Sequence, residues 1–275
     1  MTYQIPIIDI DGEIEESLNN VEKVIKDLND RRNKGLPEAL EKKINTHLQT
    51  LHVYNSNAIE GNQLSLRETE LVLESLSGDI VHGKFETEAI SLNKANDYLY
   101  DLISGKASLG RKSLLELHGL IMEGSDFERG EYRKGAVTIK NSDHKPPPPA
   151  LVESSVDELF QWINRSAHEY SPIVMATILH HWLTWIHPFS DGNGRTTRMF
   201  FNFFLLQKGY PMIIVKLEDR DTYYDALIDA NRGNIKKLLE LSNSYPIDVL
   251  YFADSMGSLD TKQITSIVKN FKDSW

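Results

Sequence analysis

The residues best equipped for chemistry sit together in His187-Pro188-Phe189-Ser190-Asp191-Gly192-Asn193-Gly194-Arg195-Thr196-Thr197-Arg198. An imidazole, a carboxylate, two glycines and two guanidiniums share this one stretch. A surface loop between two helices accounts for the proline and the glycines. It accounts poorly for two arginines at the start of a helix, where the dipole favours anions over cations.

The apolar run Ser171 to Ile186 reads as a buried helix. Pro188 disfavours helical backbone at His187 and ends that helix near it. Asp191-Gly192-Asn193-Gly194 tolerates positive φ, so the chain can turn tightly and converge its N–H groups on an anion. A second helix is predicted over Arg195 to Lys208, with Gly209 as its stop. Its first turn carries orphan N–H groups, and Arg195 and Arg198, three apart, share nearly one face. A polyanion such as a triphosphate would satisfy donors, dipole and guanidiniums together.

This stretch resembles the signature of the Fic (Fic/Doc) family at every fixed position. The resemblance implies an all-α, Fic-type helical bundle with a short β-hairpin flap and additional N- and C-terminal helices. It also implies transfer of AMP from ATP to a serine, threonine or tyrosine hydroxyl of a target protein. In that reading His187 is the catalytic base and Asp191 holds Mg²⁺. Gly192, Asn193, Gly194, Arg195 and Arg198 hold the ATP phosphates, with Phe189 as a core anchor.

Upstream, Ser56-Asn57-Ala58-Ile59-Glu60-Gly61-Asn62 reads by itself as a helix end or turn. It also resembles the family's inhibitory motif, through Ser56, Glu60 and Gly61. The implied role is a Glu60–Arg198 pair that neutralises one guanidinium and puts a carboxylate where a phosphate belongs. The same motif is compatible with AMP removal. Family scaffolds that use another donor, and a catalytically silent nucleotide-sensing module, are the alternatives.

The elements that must position these residues are mostly helical by period: Ile14 to Leu28, Pro37 to about Tyr54, Leu66 to Leu76, Phe85 to Ile103, Ser113 to Met122 and Leu151 to His168. Ile235 to Leu241, Ile247 to Met256 and Thr261 to Phe271 read as separate helices near the end. Gly130 to Ile139 breaks the pattern with glycine, aromatic and β-branched residues, and a short hairpin is predicted there. It resembles the family's flap, so Tyr132, Arg133, Lys134, Gly135, Ala136, Val137, Thr138 and Ile139 are expected to dock the target main chain. The proline run Pro146 to Pro149 reads as a stiff spacer. His118 reads as a packing histidine. The spacing of His180, His181 and His187 matches no common metalloprotease pattern.

Three regions are expected: 1–84 with the inhibitory motif, a Fic core at 85–234, and a helical extension at 235–275. The 275 residues can bury a sizeable core. With no cysteine there is no disulfide, thiolate metal site or cysteine nucleophile. The net charge of -10 argues against broad nucleic-acid binding. Neither a membrane span nor a signal peptide is read, so the expectation is a cytoplasmic protein whose partner is a target protein. Self-modification and a homodimer are compatible with the resemblance.

Overall fold

A computed structural model describes residues 3–6, 12–33, 38–75, 83–139, 142–166 and 169–255. Its helices are α1 (Gly12–Asn33), α2 (Glu38–Ile59), α3 (Leu66–Glu74), α4 (Lys84–Ser104), α5 (Arg111–Ile121), α6 (Pro149–Ser166), α7 (Pro172–Ile186), α8 (Asn193–Gln207), α9 (Arg220–Asn231) and α10 (Lys236–Ser255). A 3-10 turn, Leu217–Asp219, precedes α9.

The centre is the antiparallel pair α7 and α8. Apolar residues surround α7 on nearly every side, and all its residues except Pro172, Thr184 and Trp185 are buried. A helix apolar all round must be covered all round. Accordingly α6, α9 and α10 pack on α7, whereas α2, α4 and α5 pack on α8. Met199, Phe200 and Phe203 of α8 pack in the same core as Leu92 and Leu99 of α4 and Leu114 and Leu117 of α5. Burial on this scale, at roughly 25 cal/mol per Å² of apolar surface, dominates the folding free energy. It holds the connection between α7 and α8 on a stiff base.

Three helix boundaries bear on the site. α2 continues beyond Tyr54 to Ile59, which places Ser56 in its last turn and Glu60 just past its end. α8 begins at Asn193, two residues before Arg195, so Gly194 is helical. α10 is a single helix through Pro246, where two segments are expected from the sequence. A proline removes one ladder bond, and packing on α7 and α9 holds this helix together across it. The helix expected at Thr261 to Phe271 lies outside the described residues.

The expected β-hairpin is not formed. Among the described residues there is no strand, and Gly130 to Ile139 is a series of bends followed by an irregular stretch. Two causes are visible. The Arg133 guanidinium bonds the Gly135 carbonyl at 3.1 Å and curls the chain on itself. The segment that would return as the second arm is pulled away instead. The His144 ring lies 2.8 Å from the Trp185 carbonyl, and the prolines that follow have no N–H to donate to a ladder. No helix among the described residues is long and apolar enough to cross a membrane.

Candidate active site

His187 terminates α7. Pro188 bars further helix, and His187 takes the left-handed C-cap conformation, φ 50° and ψ 62°, its N–H bonding the Leu183 carbonyl at 3.0 Å. A non-glycine residue in this region costs about 1–3 kcal/mol, so the surroundings must hold it there. Its Nδ1 is buried with no well-formed hydrogen bond, and the polar group beside the ring is the Thr184 backbone. Burial and then the Arg133 guanidinium lower the imidazole pKa to about 4, and the Thr184 backbone and Glu60 carboxylate restore it only in part. The ring is a free base at neutral pH.

The turn after it is tied off internally. The Asn193 side chain accepts from the Phe189 N–H and donates to the Phe189 carbonyl, both at 2.9 Å. With both polar ends engaged, this side chain staples the loop, and the anion-facing group of Asn193 is its backbone N–H. His118, fully buried, stacks on Phe189 with ring centroids 3.6 Å apart. Its Nδ1 accepts from the Gly130 N–H at 3.0 Å, so its Nε2 carries the proton and donates to the Asp191 carbonyl at 3.1 Å. Nothing in the spacing around His118 signals this role. Gly192 sits at φ 73°, and a Cβ there would collide with Met122.

α8 then opens with its N-terminus in this cup. The first bond back into the loop is Thr196 N–H to the Gly192 carbonyl, 3.0 Å. The N–H groups of Asn193, Gly194 and Arg195 precede it and have no helical acceptor. The Asp191 carboxylate accepts from the Gly192 N–H at 2.7 Å, and its side chain is 47% exposed at the rim. Arg195 is buried, its Nε has no partner, and its closest carboxylates are Asp191 at 3.8 Å and Glu88 at 3.9 Å. A buried guanidinium so loosely met is an anion site waiting for a stronger partner.

Arg198 is engaged through Nε and Nη2. Nε donates to Ser56 Oγ at 2.9 Å, and Nη2 donates to the Ser56 carbonyl and to Glu60 Oε1, each at 2.8 Å. Beneath it lie His52, His180 and Tyr223, with the Tyr223 hydroxyl 2.9 Å from His180 Nε2. Burial first, then the Arg198 charge, keeps His52 and His180 neutral. Glu60 reaches Arg198 because Gly61, at φ 99°, turns the chain at the end of α2, and Asn62 anchors it to α4 through the Phe85 carbonyl and Glu88. A Cβ on Gly194 would collide with the Glu60 carboxylate. Glu60 therefore lies directly on the first turn of α8, where orphan N–H groups and dipole attract anions.

The residues expected to form the site thus meet in one place: His187, Asp191 to Arg195, Arg198, Ser56 and Glu60. The expected docking segment divides. Lys134, Gly135, Ala136 and Thr138 are exposed, and Tyr132, Val137 and Ile139 are half-buried. Arg133 is buried. Among the described residues no cluster of three histidines, aspartates or glutamates could hold a metal. The hard, exposed carboxylate of Asp191 suits Mg²⁺ as one ligand, provided phosphate oxygens and water complete the shell.

A model of the Fic/DOC family matches residues 108–205, which contain α5, α6, α7, the turn and most of α8. The chain carries a Fic/DOC family domain. It is 34% identical over 194 residues to a protein adenylyltransferase Fic of Nematostella vectensis, covering 68% of this chain and 44% of that one. A protein of the same name from Aedes aegypti is 36% identical over 191 residues, 67% of this chain and 38% of the relative. The chain thus spans less than half the length of these curated relatives. Among solved structures, C. elegans Fic-1 superposes with a TM-score of 0.75 at 27% identity, over 95% of this chain and 73% of that one. A Fic domain containing signaling protein of Bacteroides thetaiotaomicron shares the fold, with a TM-score of 0.70 at 24% identity over 94% of this chain and 98% of that one.

Proposed function

We propose that this Fic/DOC chain transfers AMP from ATP to a serine, threonine or tyrosine hydroxyl of a target protein, and that Glu60 inhibits it by occupying a phosphate position beside Arg198. Residues 85–234 would form the transferase core, 1–84 the part bearing the inhibitory motif, and 235–275 an extension. The curated relatives are named as protein adenylyltransferases, and the geometry fits that chemistry.

His187 Nε2 takes the proton of the attacking hydroxyl and later releases it to solvent. The hydroxyl oxygen bonds the α-phosphorus, the bond from the α-phosphorus to the oxygen bridging it to the β-phosphorus breaks, and that oxygen leaves with pyrophosphate. The backbone N–H groups of Asn193, Gly194 and Arg195 receive phosphate oxygens. Arg195 takes the β-phosphate region and Arg198 the γ-phosphate. Bound through Asp191, Mg²⁺ would neutralise phosphate charge and stabilise the leaving group. The stretch 136–139 receives the target main chain.

The observation that carries the proposal is the seat of Glu60. Its carboxylate touches the first turn of α8 and pairs with Arg198 at 2.8 Å, as a phosphate would. A charge-assisted hydrogen bond is worth about 1.5–3 kcal/mol, so freeing the position corresponds to a rate gain of roughly 10- to 150-fold. Incubation with labelled ATP tests this on the chain itself and on candidate targets. Glu60→Gly is expected to label above the unsubstituted chain by that factor, and Glu60→Gly with His187→Ala not to label at all. Labelling that survives loss of His187, or Glu60→Gly showing none with any target, contradicts the proposal.

A further inference from the structure

Arg133 lies in the segment expected to dock a target, yet only 3% of it is exposed, while Lys134, Gly135 and Ala136 after it face solvent. Its guanidinium donates to backbone carbonyls in three separate parts of the chain. Nε bonds the His187 carbonyl at 2.8 Å, Nη1 the Gly135 carbonyl at 3.1 Å, and Nη2 the Pro147 carbonyl at 2.5 Å and the Ile186 carbonyl at 3.5 Å. The Arg133 backbone N–H adds the Pro188 carbonyl at 3.0 Å. Side chain and main chain thus bracket the His187–Pro188 peptide from one residue.

We propose that Arg133 is a positioning residue for the His187 base: it holds His187 in its left-handed conformation and fixes the docking stretch relative to it. This rests on the reading of His187 as the base. The need for a clamp is local. His187 is one of two non-glycine residues at positive φ among those described. The guanidinium faces the last carbonyls of α7, the negative end of that helix, which offsets its buried charge. A planar fork can reach these four carbonyls in fixed directions, whereas a lysine ammonium presents a point charge on a flexible stem. Because the same fork binds Gly135 and Pro147 on either side of 136–139, a target lying along that stretch is held in register with the imidazole.

The clamp also sets the charge around the base. The groups acting on the His187 ring are the Arg133 guanidinium, the Thr184 backbone, the Glu60 carboxylate and His144. Arg133 is the largest source of positive potential among them, so its loss raises the imidazole pKa, while its replacement by lysine preserves much of that effect.

The test uses the Glu60→Gly chain with Arg133→Lys or Arg133→Met added, each verified as folded by near-UV circular dichroism. Misplacing a catalytic group by about 1 Å costs on the order of 100-fold, so kcat should fall by roughly 10- to 100-fold. The KM for ATP should stay within about twofold, because the clamp touches no residue of the phosphate cup. If Arg133→Met does not fold, Arg133→Lys still tests the loss of the fork. Histidine-ring NMR, with the His187 signal assigned through His187→Asn, gives a readout without turnover: that signal should shift in both variants. A folded variant with unchanged kcat and an unmoved His187 signal overturns the proposal, as does a loss confined to KM for ATP. Absence of transfer by Glu60→Gly alone would instead defeat the reading of His187 as the base, and the NMR signal would still decide whether Arg133 positions it.

Discussion

Acidification should unfold this chain near pH 5, and the size of the effect follows from four buried histidines. Burial is the first cause that lowers His52, His118 and His181 to about 4 and His180 to about 3, from an ordinary value of 6.5. Each is at most 2% exposed. As pH falls below 6.5 the unfolded chain binds protons on these rings and the folded chain does not, so stability is lost from 6.5 down toward 4. The loss is about 1.4 kcal/mol per histidine per pH unit. At pH 5 it reaches about 2 kcal/mol each, or about 8 kcal/mol for the four, against a typical total of about 5–15 kcal/mol. Tryptophan fluorescence and near-UV circular dichroism, followed from pH 7.5 to 4, should show one steep transition taking up several protons. Because His187 is itself held at about 4, the transfer rate should stay level until that transition rather than fade around 6.5. A melting temperature within a few degrees of its neutral value at pH 4.5 would refute the reasoning.

Other substitutions probe the cup from different sides. Gly194→Ala puts a methyl group into the Glu60 carboxylate and 3.0 Å from an Arg198 nitrogen. It should lower the melting temperature by a few degrees, from about 1–2 kcal/mol of strain. In the Glu60→Gly background it should weaken ATP binding, because the methyl remains in the phosphate position; calorimetry checks both. His118→Phe keeps the stack on Phe189 but strands the Gly130 N–H and the Asp191 carbonyl. Each stranded group costs about 1–3 kcal/mol in urea unfolding, and the Mg²⁺ concentration needed for half-maximal transfer should rise as the Asp191 loop loosens.

The parts of the site that local chemistry dictates could be read before the fold was seen. Pro188 ends α7 at His187, and the glycines around Asn193 mark the turn. The apolar residues of α7 mark a buried helix. What could not be read depends on residues distant in sequence. The left-handed His187 is held by Arg133, 54 positions upstream. The glycine, aromatic and β-branched residues of Gly130 to Ile139 point to a hairpin, but side-chain bonds from Arg133 and His144 override it. Asn193 suits a phosphate ligand by type, yet its amide is consumed by Phe189. His118 carries no sequence signal because both its partners are backbone groups brought to it by tertiary packing. Ile235 to Leu241 and Ile247 to Met256 read as separate helices, but packing against α7 and α9 carries one helix through Pro246.

The central claim is that Glu60 occupies an anion seat on the first turn of α8 that is shared with a nucleotide phosphate. Titration of ATP with Mg²⁺ into the unsubstituted chain, Glu60→Gly, and Glu60→Gly with Arg198→Ala measures it most directly. The account predicts affinity at least about tenfold tighter on removing Glu60, with most of that gain lost when Arg198 is also removed. Equal affinity in all three chains would contradict it.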